Sequence, residues 1–208
     1  MLIVGAGGHA KVVIEIARAR GFEPACCTDA NPTPRTVLSV PVIGGDEQLE
    51  AIFASGIRLA VVALGDNALR VRLSRQLLDM GYALPALVSP GALVSGSASV
   101  GRSSVVMSGA VINAETIIGD FAIINTNASV DHDCSVGHGA HIAPAAAVTG
   151  AVRIGECAFI GAGAILLPNI SVGSSAIIGA GAVVNRDVPT GAKFVGIPAR
   201  PLSSGEVK

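Results

Sequence analysis

The hydrophobic pattern along the chain changes its period once. Up to about residue 86, short apolar runs alternate with stretches of helical spacing. Leu2-Ile3-Val4 predicts a strand, Lys11 to Arg20 a helix closed by Gly21, and Ala25-Cys26-Cys27 a second strand. Asp46 to Ala54 reads as a helix capped by Asp46, Leu59 to Leu64 as a third strand, and Asn67 to Met80 as a helix stopped by Gly81. That alternation implies a small parallel α/β unit.

From Val88 onward the period is six. Every sixth residue from Val88 to Val184 is Val, Ile or Leu, seventeen positions without a break. Four residues after each comes a smaller side chain, Ala at eleven of the seventeen, and Gly often follows the aliphatic directly, as at Gly101, Gly119 and Gly155. One large and one small inward residue per hexad, with Gly at the bend, describe a prism of short parallel strands. Three hexads make one coil, so residue n stacks on n+18 about 4.8 Å away. The general preference for right-handed crossovers predicts a right-handed coil, and the spacing alone does not overturn it.

Composition narrows the function. Fourteen basic against fifteen acidic residues give a net charge of −1, leaving no electrostatic basis for non-specific nucleic-acid binding. No apolar run approaches the roughly 20 residues of a membrane span. Met1 to Gly5 lacks the basic region and cleavage site of a secretory signal, so a cytoplasmic protein is expected. Cys26, Cys27, Cys134 and Cys157 have no metal-binding or redox spacing and read as reduced, mostly buried thiols.

Four places carry candidate chemistry. Gly5-x-Gly7-x-x-Ala10 follows a strand and opens a helix, where backbone N–H groups can meet a pyrophosphate, and Asp29 ends the second strand where a ribose-binding acid is expected. The unit is short for the two halves of a dinucleotide site. Gly65-Asp66-Asn67 lies at the carboxyl end of the third strand, where Asp66 or Asn67 also serves as a helix cap. His132 falls at the third hexad position between Asp131 and Asp133, and 132 plus 18 is Gly150, placing an imidazole beside unshielded backbone with room for a carbonyl between them. Ala162 and Ala180 are one coil apart inside Gly-Ala-Gly-Ala runs, a shallow strip with no bulky side chains.

The unbroken hexads, Gly5-Ala6-Gly7-Gly8-His9-Ala10-Lys11, Leu64-Gly65-Asp66-Asn67 with Arg70, Ile123 to Thr126, Val130 to Cys134, and Val195 to Arg200 together resemble one branch of the left-handed parallel β-helix acyltransferases. That branch holds the sialic-acid O-acetyltransferases and the nucleotide-sugar N-acetyltransferases of bacillosamine and perosamine biosynthesis. Thr28 to Arg35 is closer to the perosamine branch. The resemblance supplies the left hand and implies three segments. These are a Rossmann-like nucleotide-sugar-binding domain (1–86), a β-helix catalytic domain (87–188) and a C-terminal turn and tail (189–208). It implies acetyl-CoA as co-substrate, no metal, a homotrimer with active sites between subunits, and a role in polysaccharide biosynthesis.

Residue by residue, the resemblance assigns Gly7, Gly8, His9 and Lys11 to the phosphates of a GDP- or UDP-linked 4-amino sugar. It places Asp29 near the base, where Ala30 departs from a second acid, and Gly65 and Asn67 beside the nucleotide. His132 becomes the general base, Asp133 its orienting acid, and Gly150 N–H the oxyanion donor. Asn125 contacts the acceptor sugar, while His141, Gly150, Ala162 and Ala180 contact the acetyl donor. His138 has no counterpart and reads as exposed. The alternatives are sugar O-acetylation by the same fold, a β-helix carbonic anhydrase with three zinc-bound histidines, and a non-catalytic nucleotide-binding scaffold.

Overall fold

The computed structural model describes residues 1–202 apart from Pro32 and Pro34 and forms two units, Met1–Pro90 and Gly91–Lys208. The end of the expected tail, 203–208, and two prolines of the Thr28–Arg35 segment therefore lie outside the described residues.

In the first unit, β1 (Leu2–Val4) is the centre of a parallel three-stranded sheet, with β2 (Cys26–Thr28) on one side and a strand at Ala60–Val62 on the other. All nine residues are buried and eight of them are apolar, Thr28 being the exception, so these strands do not alternate, as a sheet covered on both faces requires. Burial of Cys27 pushes its thiol up to about 11, in keeping with an inert core thiol. α1 (Gly8–Ala19) begins three residues before Lys11, because Gly7 is already its cap, and it buries Ala10, Val13, Ile14, Ile16 and Ala17.

Sequence reading missed a hairpin, β3 (Thr36–Val37) and β4 (Val40–Pro41). Its turn is Leu38-Ser39, with φ of 47° and 68°, so the usual Asn-Gly signal was missing. The next helix is also corrected: Asp46–Gln48 is a 3₁₀ turn leading into α2 (Leu49–Ala54), and the cap is Gly45, not Asp46. The Glu47 carboxylate accepts the Gly45 N–H at 2.9 Å, leaving Asp46 out of the cap. β5 is the Ala60–Val62 strand, and α3 (Asn67–Asp79) is capped by Asp66, whose Oδ1 accepts the Leu69 N–H at 2.7 Å.

The second unit is a left-handed parallel β-helix of about six turns. Its register follows the 18-residue rule: Val111, Ser129, Ala147, Ile165 and Val183 stack along one face. Ile117, Ser135, Arg153 and Ser171 stack on the second, and Ile123, His141, Phe159 and Ile177 on the third. From Val106 to Val184 the aliphatic set is at most 3% exposed. Where the small inward set is polar, the side chain bonds a backbone carbonyl: Ser104 to Gly119 O, Thr116 to Asp131 O, and the Cys134 thiol to Thr149 O.

Two expectations about this unit change. The left-handed turn residue is not the glycine after the aliphatic but the third residue after it, and Ser103, Asp133 and Asn169 adopt φ of 53°, 59° and 63° there without being glycine. Gly155 has a different role: a Cβ there would lie 2.4 Å from the Ser174 amide of the next coil, so its missing side chain lets coils approach. The last coil is also shorter. Ile177 pairs with Lys193 and Val172 bridges Val188, sixteen residues on, so Val188 takes the aliphatic corner rather than the small inward position. Asp187 stabilises the short turn, accepting the Ser171 N–H at 2.8 Å.

Candidate functional site

In the first unit the carboxyl ends of three parallel strands converge, the place where open α/β sheets bind ligands. Gly5 has φ +105°, and a Cβ there would strike Ala63 O at 2.8 Å, so glycine is needed for both the turn and the approach of β5. Gly7 and Gly8 are exposed with open space beside them, and α1 begins with no side-chain cap and no acidic residue in its first turn. That leaves N–H groups and a positive helix end open to solvent, a setting that favours negative charge. Lys11 is exposed on the same turn.

His9 is largely buried. Burial, aided by the charge of Arg70, lowers its pKa to about 4, so the imidazole is neutral near pH 7. Its Nε2 has no hydrogen-bond partner among the described residues. Arg70, 1% exposed, donates to Leu64 O at 2.9 Å, to Gly65 O at 3.3 Å and to Asn67 Oδ1 at 2.8 Å, holding the Gly65–Asn67 turn. The Asp29 carboxylate accepts the Ala6 N–H at 2.8 Å and the Asn31 N–H at 2.9 Å, with Arg35 at 3.4 Å. Burial tends to raise its pKa, but these bonds outweigh that and keep it below the usual range. It joins two loops. A cavity of about 220 Å³ at this edge is lined by Thr28, Asp29, Ala30, Asp46, Leu69 and Arg72, among others. Asp46, Leu69 and Arg72 were not foreseen, because they come from two other elements.

On the β-helix, the candidate residues fall on two different edges. His132, Asp133 and Gly150 lie at the turns between the first and second faces. His132 Nδ1 meets Asp133 Oδ2 at 2.7 Å, and the left-handed φ of 59° at Asp133 turns this carboxylate back toward its neighbour. Asp131 Oδ1 accepts both the His132 N–H at 2.8 Å and the Asn113 amide of the preceding coil at 2.9 Å. The Asp133 bond first, then the charge of Asp131, raises the His132 pKa above its ordinary value. The ring lies directly on Gly150: a Cβ there would be 2.7 Å from Cε1 and 2.8 Å from Nε2. This corrects the picture of open backbone with room for a carbonyl between the two, because the ring itself covers Gly150. The Gly150 N–H makes no hydrogen bond to any described residue.

The other edge, between the third and first faces, gathers Asn125, His141, Ala162 and Ala180. Asn125 Nδ2 and His141 Nε2 are 3.0 Å apart, and Phe159 packs edge-on to the His141 ring at 5.2 Å. Two coils of exposed small residues follow, Ala162 and Ala180, whose N–H groups also make no hydrogen bond to described residues. His138 is on the remaining edge, exposed, its Nδ1 accepting the Asp120 N–H at 2.9 Å. The three nearby histidines thus occupy three separate places. Among the described residues, no three His, Cys, Asp or Glu side chains are placed to hold a metal, and no helix is long and apolar enough to cross a membrane.

Comparison with known proteins accounts for both units. Residues 1–77 match the PglD N-terminal domain family, and residues 151–186 the bacterial transferase hexapeptide family with six repeats. No curated protein sequence gave a match. Among solved structures, the chain is similar to PerB from Caulobacter crescentus in complex with CoA and GDP-perosamine. Identity is 46%, TM-score 0.94, with 97% of this chain and 96% of that one covered. It is similar to the acetyltransferase domain of PglB from Neisseria gonorrhoeae, seen with acetyl coenzyme A, at 40% identity and TM-score 0.90 over 97% and 98% of the two chains. WeeI from Acinetobacter baumannii is 27% identical, with TM-score 0.87 over 97% and 98%. A hexapeptide β-helix behind a PglD-type domain, similar over nearly its whole length to CoA-binding relatives, makes this chain a member of the acetyl-CoA-dependent nucleotide-sugar N-acetyltransferases of the left-handed β-helix family.

Proposed function

We propose that the protein acetylates the amino group of a nucleotide-linked 4-amino-deoxy sugar, with His132 as general base and no covalent acyl-enzyme. The observation that carries this reading is His132, bonded through Nδ1 to Asp133, lying on a glycine whose N–H is unpaired among the described residues. A proton on Nδ1 leaves the Nε2 lone pair free. The amine attacks the thioester carbonyl carbon, a C–N bond forms, and the oxygen becomes an oxyanion at the Gly150 N–H. Nε2 takes the proton from nitrogen. The adduct then collapses with loss of the C–S bond, and the imidazolium returns a proton to the leaving thiolate.

The first unit binds the nucleotide in this reading. Gly7, Gly8, the neutral His9 and Lys11 face the diphosphate, and the Asp29, Gly65 and Asn67 loops border the base. The second edge of the β-helix takes the acetyl donor, with Ala162 and Ala180 along the pantetheine and His141 with Asn125 near the reacting groups. His132 and this strip bound one face from opposite sides, so one subunit carries two half-sites. The face between them presents Leu93, Val111, Ser129, Ala147, Ile165 and Val183, with no charge. A three-fold ring turning this face to its axis joins the His132 edge of one copy to the donor edge of the next. Mixed assemblies of H132A and A162W chains are then expected to regain activity that neither has alone.

The direct test is thiol release from acetyl-CoA with GDP-, UDP- and dTDP-linked 4-amino sugars and their hydroxyl-only counterparts. Turnover confined to an amino sugar supports the proposal. Turnover with a hydroxyl acceptor alone would transfer the assignment to O-acetylation.

A further inference from the structure

We infer that the cavity at the carboxyl edge of the first unit selects guanine, with the Asp46 carboxylate and the Arg72 guanidinium reading its polar edge; this rests on the nucleotide-sugar reading above. Among the groups lining the cavity, the Asp29 carboxylate is committed to the Ala6 and Asn31 amides and to Arg35. The Thr28 side chain is fully buried. Asp46 and Arg72 are different. Both line the cavity and both are exposed. Neither side chain makes a hydrogen bond or ion pair to a described residue. Asp46 is left uncommitted because Gly45 and Glu47 cap the 3₁₀ turn without it. Arg72 lies one turn of α3 beyond Leu69, and the exposed Leu69 supplies apolar surface for a base to lie on.

The chemistry of the two groups discriminates among bases. A carboxylate offers acceptors only, and a guanidinium offers donors only. Guanine presents two adjacent donors, N1–H and the 2-amino group, followed by the O6 acceptor. It satisfies a neighbouring carboxylate and guanidinium in one plane. Uracil and thymine present a single donor between two acceptors, so a carboxylate meeting their edge faces an oxygen. Cytosine offers its amino group but no second donor beside it. Ala30 adds no polar group to the cavity, so the second acid near the base is supplied by Asp46 from a distant segment. A site built around a hydrogen bond rejects analogues lacking that partner far more strongly than a size-selective apolar pocket does.

The test is calorimetric titration of the intact protein with GDP, IDP, UDP, CDP and dTDP. Inosine diphosphate is guanosine diphosphate without the 2-amino group. Wild-type protein is expected to bind GDP about 10- to 100-fold more tightly than IDP or UDP, the range for a hydrogen bond to a charged group. Asp46→Asn presents a donor beside an acceptor, so it should lose that margin over IDP and gain affinity for UDP. Arg72→Gln should weaken GDP and IDP alike. Tighter binding of UDP than GDP by the wild type, or an unchanged GDP-to-IDP ratio in Asp46→Asn, overturns the inference while leaving the nucleotide-sugar reading intact. Failure of all five diphosphates to bind would instead sink that underlying reading, and this inference with it.

Discussion

Gly150→Ala isolates the chemistry at His132 from the stability of the β-helix. The backbone at Gly150 is not in the left-handed region, so alanine is conformationally acceptable there. The new methyl has only one close neighbour, the His132 ring, at 2.7 and 2.8 Å. Those atoms are the far end of a side chain 59% exposed, which swings away at little cost. Swinging away separates Nε2 from the Gly150 N–H, and the methyl partly covers that donor. Loss of one oxyanion donor lowers turnover by about 10²–10³-fold, and misplacement of a base by about 1 Å has a cost of about 10²-fold. Because the two effects overlap, the expected fall in kcat is roughly 10³-fold. Gly155→Ala is the contrast: its methyl meets the Ser174 backbone amide at 2.4 Å, which can yield only by moving a coil. That variant should lose about 1–3 kcal/mol of stability, as overpacked sites do. The assay is steady-state thiol release, with thermal melting and calorimetric nucleotide binding as controls. Gly150→Ala turnover within threefold of wild type, with the fold intact, would refute the placement of base and oxyanion donor.

Three other outcomes follow from the same geometry. The raised pKa of His132 means kcat/KM climbs with pH through a limb above the ordinary histidine value; Asp133→Asn should lower both that limb and turnover, read from pH–rate profiles. Asn113→Ala removes one of the two donors holding Asp131 against the His132 backbone, and should reduce kcat about 3- to 10-fold with KM and melting temperature nearly unchanged. His9 is neutral in the fold, with pKa lowered to about 4 against an unfolded value of 6.5. The unfolded chain therefore binds more protons between these values, and stability present above pH 6.5 falls progressively toward pH 4. The loss is up to about 3 kcal/mol, and a His9→Gln variant should not show it in denaturant titrations.

How legible the molecule was in its sequence depended on whether a feature is local or repeats. The 18-residue coil was readable because identical strand geometry forces an identical period, and the same rule placed His132 next to Gly150 from spacing alone, though not with its ring covering the glycine. The Gly5–Ala10 turn was readable because only glycine fits its backbone and the approach of Ala63. Where the repeat stops, the arithmetic fails: nothing in Val184 to Val188 announces a coil two residues short. The role of the bend glycines was misread, since a turn that needs glycine and a packing contact that excludes a side chain leave the same letter in the sequence.

The sequence by itself determined the α/β unit and the hexad coil though not its hand, the inward layers, the adjacency of His132 and Asp133, and the glycine turn that opens α1, since each follows from neighbours along the chain or from a fixed repeat. Only the tertiary structure decided which groups are already engaged. It ties Asp29 to two amides, gives Asn67 to the buried Arg70, and releases Asp46 by capping its turn with Glu47. It brings Asp46 and Arg72 to one cavity from segments a strand and a helix apart. The physical reason is that a hydrogen bond is exclusive and short-ranged. Residue type states what a side chain is able to bind, and packing determines what it has left to offer.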